Sequence, residues 1–172
     1  MIRHTRMALI AAGMLFGAAG GAAAQQHTGH SSHAGHAKPD SAFTELQERG
    51  QAAMGVDQYT STHLFDALDD GGRIELQRDV DDAEGVATIR THLRDIARRF
   101  AAGDFAIPGF VHDQEVPGTT VMAAKKDVIR YTFRELPRGG EVRITTTDAD
   151  AVKAIHAFMA FQRSDHRAAG HH

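Results

Sequence analysis

Two stretches of this chain follow one plan, and that repetition restricts the fold more than any other feature. Asp69-Asp70-Gly71-Gly72 and Pro137-Arg138-Gly139-Gly140 are turn sequences set between strand-like segments. In the first unit, Thr62–Leu68 and Arg73–Asp79 read as strands, with Ile74 and Leu76 on one face and Arg73, Glu75 and Gln77 on the other. A helix begins near Ala83, with Asp81 as its cap and Glu84 completing a capping-box pattern. Its apolar stripe is Val86, Ile89, Leu93, Ile96 and Phe100, and Gly103 ends it. In the second unit, Val128–Glu135 presents Ile129, Tyr131 and Phe133 on one face, and Glu141–Thr147 points Val142 and Ile144 inward. Asp148 caps a helix with the stripe Val152, Ile155 and Met159. Strand-strand-helix twice predicts an α+β fold: a four-stranded antiparallel sheet with two helices on one face.

The rest of the chain frames that domain. Residues 41–53 read as a lead-in helix, the domain spans 54–168, and 169–172 form a short tail. Asp104–Lys126 joins the two units as a long connection holding Pro108, His112 and Pro117-Gly118, the type of segment that often carries function. There is no cysteine, so neither a disulfide nor a thiolate metal site can be built.

Residues 1–24 have the three parts of a secretory signal: a basic start with Arg3 and Arg6, an apolar run from Met7 to Ala19, and small residues at Ala22-Ala23-Ala24. The run is 13 residues long. A bilayer span takes about 20. Cleavage after Ala24 would leave a periplasmic or secreted protein with no membrane span. The net charge of −3 disfavours nucleic acid as a partner, because counterion release needs a basic face.

Histidine is the unusual residue, with 12 in the chain. His27, His30, His33 and His36 recur every third position among Gly, Ser, Thr and Ala, in a segment that cannot bury apolar surface. Such an array can offer two to four imidazole nitrogens to Cu(II), Zn(II) or Ni(II). Cleavage would also expose Gln25-Gln26-His27, whose amine, two backbone amides and imidazole form a planar four-nitrogen set suited to Cu(II) and Ni(II).

Five histidines fall in the domain: His63, His92, His112, His156 and His166. His166 falls on the stripe of the second helix, His92 at the edge of the first, and His156 further toward solvent. No two stand at i,i+4 on one helix, so a domain site would have to be assembled from distant segments. His63, His92 and His112 are the preferred metal-ligating trio, with Met54 and Met122 as soft contacts. His112 beside Asp113 and Glu115 could alternatively do acid–base chemistry. No nucleophile elbow, dinucleotide fingerprint or phosphate loop occurs, and Asp79–Gly85 fails as a calcium loop because Ala83 and Glu84 stand where a ligand and glycine belong. The sequence therefore nominates no enzyme.

The segments Met54-Gly-Val-Asp-Gln58, Thr62-His63, Asp70-Gly-Gly-Arg-Ile-Glu-Leu76, Ile89-Arg-Thr-His-Leu93, Phe100-Ala-Ala-Gly-Asp-Phe105 and Ala154-Ile-His-Ala-Phe158 resemble a group of short exported bacterial proteins. That resemblance covers about residues 50–168; it implies one domain outside the cytoplasm and supplies no catalytic residue. The histidine array resembles the leaders of periplasmic copper- and zinc-handling proteins. The expected function is binding of a divalent transition metal, copper favoured, for sequestration or delivery, with a metal transporter or a second copy of the chain as partner. The alternative is a non-catalytic ligand-binding or interaction module that uses the open face of the sheet.

Overall fold

A computed structural model describes residues 40–168. The expected signal (1–24), the metal-ligating candidates Gln25, Gln26, His27, His30, His33 and His36, and the tail 169–172 lie outside the described residues. The elements run α1 (Asp40–Met54), a 3-10 turn (Gln58–Thr60), β1 (Ser61–Leu68), β2 (Gly71–Arg78), α2 (Ala83–Ala101), α3 (Ala106–His112) and α4 (Thr119–Ala124). A second 3-10 turn (Lys126–Val128) then leads to β3 (Arg130–Leu136), β4 (Gly139–Thr145) and α5 (Ala149–His166).

The fold is α+β, with one antiparallel sheet of order β1-β2-β4-β3. Each hairpin places its second strand in the middle, so the repeated units meet through β2 and β4, with Ile74 opposite Val142 and Gly72 opposite Ile144. Strand alternation decides the rest. Phe65, Ile74, Leu76, Val142 and Ile144 point to one face and are buried there. Over that face α2 packs mainly on β3 and β4, and α5 on β1 and β2. The helix stripes fill the core with Ile89, Leu93, Phe100, Ile155, Phe158 and Met159, all at most 2% exposed. Gly72 sets the depth at which α5 sits, because a Cβ there would lie 2.8 Å from Met159 Cε and 2.9 Å from Ile155 Cγ2. The repeated Gly-Gly is thus a packing device as well as a turn signal.

On the other face the charged residues pair with one another. Arg73 reaches Asp66, Glu75 and Glu141, Arg134 reaches Glu141 at 2.9 Å, and Arg143 reaches Asp70. Asp66 and Glu141 are only 4% exposed.

Several expectations are corrected. The cap of α2 is Asp82, which accepts from the Gly85 N–H at 3.0 Å, and not Asp81. Asp148 caps α5 as expected. The connection after Asp104 contains the two short helices α3 and α4. Segments of six and seven residues carry too little periodicity to read. They are held in place by burial of Val111, Val116 and Met122. Tyr131 lies on the helix-covered side of the sheet, edge-on to Phe100 at 5.9 Å, and so cannot serve a ligand on the open face. His156 is tied to the Leu68 carbonyl at 2.8 Å rather than turned to solvent. The lead-in helix α1 is part of the folded body: it packs on α3, buries Leu46 fully, and Arg49 Nε donates to the Val111 carbonyl at 2.9 Å. Among the described residues no helix is long and apolar enough to cross a membrane.

Candidate functional site: a histidine-lined cavity

Four of the five domain histidines line one cavity of about 80 Å³. They come from four separate elements. His63 stands on the helix-facing side of β1, opposite Leu76. His92 precedes the buried Leu93 on α2, and His112 and His166 are the last residues of α3 and α5. From below, α1 contributes Gly50, Ala53 and Met54, and the turn after it contributes Gln58. Most of the remaining wall is apolar, and no Asp or Glu lines it. Ligand pockets run from roughly 300 Å³ upward, so a space of this size suits an ion or a very small solute.

Hydrogen bonds fix two of these rings. His112 Nδ1 lies against the Asp165 carboxylate, and its Nε2 is 3.0 Å from Gln162 Oε1. His166 Nδ1 donates to Gln58 Oε1 at 3.0 Å. The His166 ring stacks on Phe65 at 5.6 Å and meets His63 and His112 edge-on at 5.9 and 4.9 Å. The His92 ring lies near the Ala53 carbonyl. Two buried polar atoms on the cavity wall have no partner: Gln58 Nε2 and His63 Nε2. The Gln58 amide occupies the space above Gly50, where a Cβ would fall 1.9 Å from Nε2.

Burial sets the charge state of two rings. His63 is pushed down to about 4, first by loss of water and then by the neighbouring His92, with Asp79 opposing. His92 is likewise pushed down to about 4 by burial, against Asp95 and the Ala53 carbonyl. Both rings are neutral at neutral pH, the form in which imidazole offers a lone pair.

The cavity lies between two surface grooves. Gln58, His63 and His166 line it and also border a groove with Thr62 and Arg167. Met54, His92 and Ile107 line it and also border a groove with Thr88 and Asp95.

The expected trio His63, His92 and His112 thus shares one wall, together with Met54, whereas Met122 is fully buried elsewhere in the core. Among the described residues no group of three or more His, Asp or Glu is arranged to hold a metal ion. The carboxylate beside His112 is Asp165, not Asp113 or Glu115. Asp113 is the left-handed cap of α3, and Glu115 accepts from Thr120. Sequence reasoning missed Gln58, Gln162 and Asp165. The signal for Gln162 was present: it falls on the stripe that Ile155 and Met159 define, a polar residue at an apolar position.

No family model, curated protein or solved structure matches this chain.

Proposed function

We propose that this protein binds a divalent transition metal outside the cytoplasm, for sequestration or delivery, with copper favoured over zinc and nickel. The observation that carries the reading is the gathering of His63, His92, His112 and His166 around one small cavity from elements spread over about a hundred residues. Burial holds His63 and His92 neutral, the form in which imidazole binds copper, zinc and nickel. The array His27, His30, His33 and His36 adds nitrogens of the same kind, and it suits capture of an ion that the domain then keeps or passes on.

The open sheet face supports the alternative less well. Arg73, Arg134 and Arg143 on that face are engaged by Asp66, Asp70, Glu75 and Glu141, which leaves it fewer charges to offer a ligand.

Isothermal titration of the exported protein with Cu(II), Zn(II) and Ni(II) tests the reading. The expected result is binding of Cu(II) at neutral pH, weakened when His27, His30, His33 and His36 are all changed to Ser. Protein that is isolated metal-free and takes up none of the three ions overturns it.

A further inference from the structure

The domain cavity and the histidine array differ in chemistry. The array is a polar segment in which a hydrated divalent ion can keep part of its water. The cavity offers neutral donors in an apolar wall with no Asp or Glu. The cost of removing an ion from water grows with the square of its charge, and a buried charge needs a compensating partner. A monovalent ion faces about a quarter of the desolvation cost of a divalent one, so the apolar wall favours the lower valence. The donors are also soft for a cysteine-free chain. Met54 lines the same cavity as His63 and His92, and thioether ligands select monovalent copper.

We infer that the cavity is a separate site for monovalent copper, held by His63, His92 and the Met54 thioether. Three observations place it there. His63 Nε2 is buried on the cavity wall without a partner, so a ligand there removes an existing cost. His92 lines the same cavity from α2, so a second imidazole comes from an element other than β1. Met54 and His92 also border the groove between α1 and α2, which places both residues next to solvent. A site of two imidazoles and a thioether is compatible with the lack of any group of three His, Asp or Glu suited to a metal among the described residues. This inference rests on the metal-binding reading and deepens it by giving the two regions different valences of copper.

The test is anaerobic titration of the full exported chain with Cu(I), against a chromophoric Cu(I) chelator, alongside Cu(II) titration in air. Three variants are compared: the leader with His27, His30, His33 and His36 all changed to Ser; His63→Ala; and Met54→Leu. The leader variant should lose most of its Cu(II) uptake and keep one equivalent of Cu(I). His63→Ala should keep Cu(II) uptake by the leader and weaken Cu(I) binding about 100-fold. Met54→Leu preserves volume and apolarity, so it covers the case in which His63→Ala does not fold. It should weaken Cu(I) binding about tenfold and remove a copper–sulfur shell from the X-ray absorption spectrum. Cu(I) uptake that disappears with the leader histidines, or that ignores both domain variants, overturns the inference and leaves the metal-binding reading standing. Failure to bind either valence of copper, zinc or nickel overturns both.

Discussion

His112 Nδ1 meets the Asp165 carboxylate across 53 residues of chain, joining the last residue of α3 to the last turn of α5. Both side chains are almost withdrawn from water, at 1% and 7% exposure. The contact fixes two walls of the cavity at once, since His112 also meets Gln162 and packs edge-on against Phe161 at 4.9 Å. Changing His112 to Leu keeps the volume and leaves the Asp165 carboxylate buried without this partner. Loss of one member of such a pair costs about 3 kcal/mol. Urea unfolding followed by circular dichroism should show a lower midpoint with an unchanged slope. A stability equal to that of the parent would mean that the pair does not anchor α3 to α5.

The two depressed imidazoles make the fold sensitive to acid. His63 and His92 titrate near 4 in the folded protein. In the unfolded chain histidine titrates near 6.5. Between those values the unfolded state binds more protons, so stability rises with pH there and falls as pH drops below about 6.5. The loss is complete near pH 4, below which both states are protonated. Each ring contributes about 3 kcal/mol over that window, from the size of the shift and 1.36 kcal/mol per pH unit. Unfolding midpoints measured from pH 7.5 to pH 4 should fall steadily. His92→Leu should remove about half of the slope, because one of the two titrating rings is gone. A flat profile over that range would show that neither ring is held neutral by burial.

Gly50 is a helix residue whose value lies in what it leaves empty. Glycine inside a helix costs about 1 kcal/mol relative to alanine. Here it makes room for the Gln58 amide, which in turn receives the His166 Nδ1–H. In Gly50→Ala the amide must move, and it can, because it is the end of a flexible side chain. The helix gains propensity while His166 loses its acceptor. The expected outcome is stability within about 1 kcal/mol of the parent, together with a clear change in the His166 ring signals in the NMR spectrum. Unchanged ring signals would show that Gln58 does not position His166.

The architecture was legible because both units write their faces in the sequence. Ile74 and Leu76 alternate with Arg73 and Glu75, the stripes of α2 and α5 recur at helical spacing, and Asp148 sits where a cap belongs. The choice between Asp81 and Asp82 as cap was not legible, because adjacent acids give the same local signal and the side-chain geometry decides. Three of the four cavity histidines stood out as candidate ligands by residue type, and only their meeting place depended on tertiary packing. His112 was assigned the wrong carboxylate. Asp113 adjoins it in sequence but ends α3 in the left-handed conformation, while Asp165 arrives from α5. Contacts that span the whole domain leave no mark in local pattern, so Gln58 and Asp165 could not be read in advance.

Arg73 carries the last prediction. Its guanidinium contacts the Asp66 carboxylate through Nε at 3.0 Å and lies within 4.0 Å of Glu75 and Glu141. Asp66 and Glu141 are each 4% exposed. The three acids lie on three consecutive points across β1, β2 and β4, and Arg73 is the cation they share. In Arg73→Met the apolar stem of the side chain is kept and the charge is lost. Glu141 retains Arg134, but the carboxylates of the cluster then repel one another without the cation at their centre. Breaking such a buried set is worth about 3 kcal/mol at neutral pH. Arg73→Lys keeps a cation on the stem and should lose clearly less stability than Arg73→Met. Comparing the unfolding midpoints of parent, Arg73→Met and Arg73→Lys at pH 7 checks both parts. Equal deficits in the two variants would assign the loss to the packing and fork geometry of the Arg73 side chain rather than to its charge.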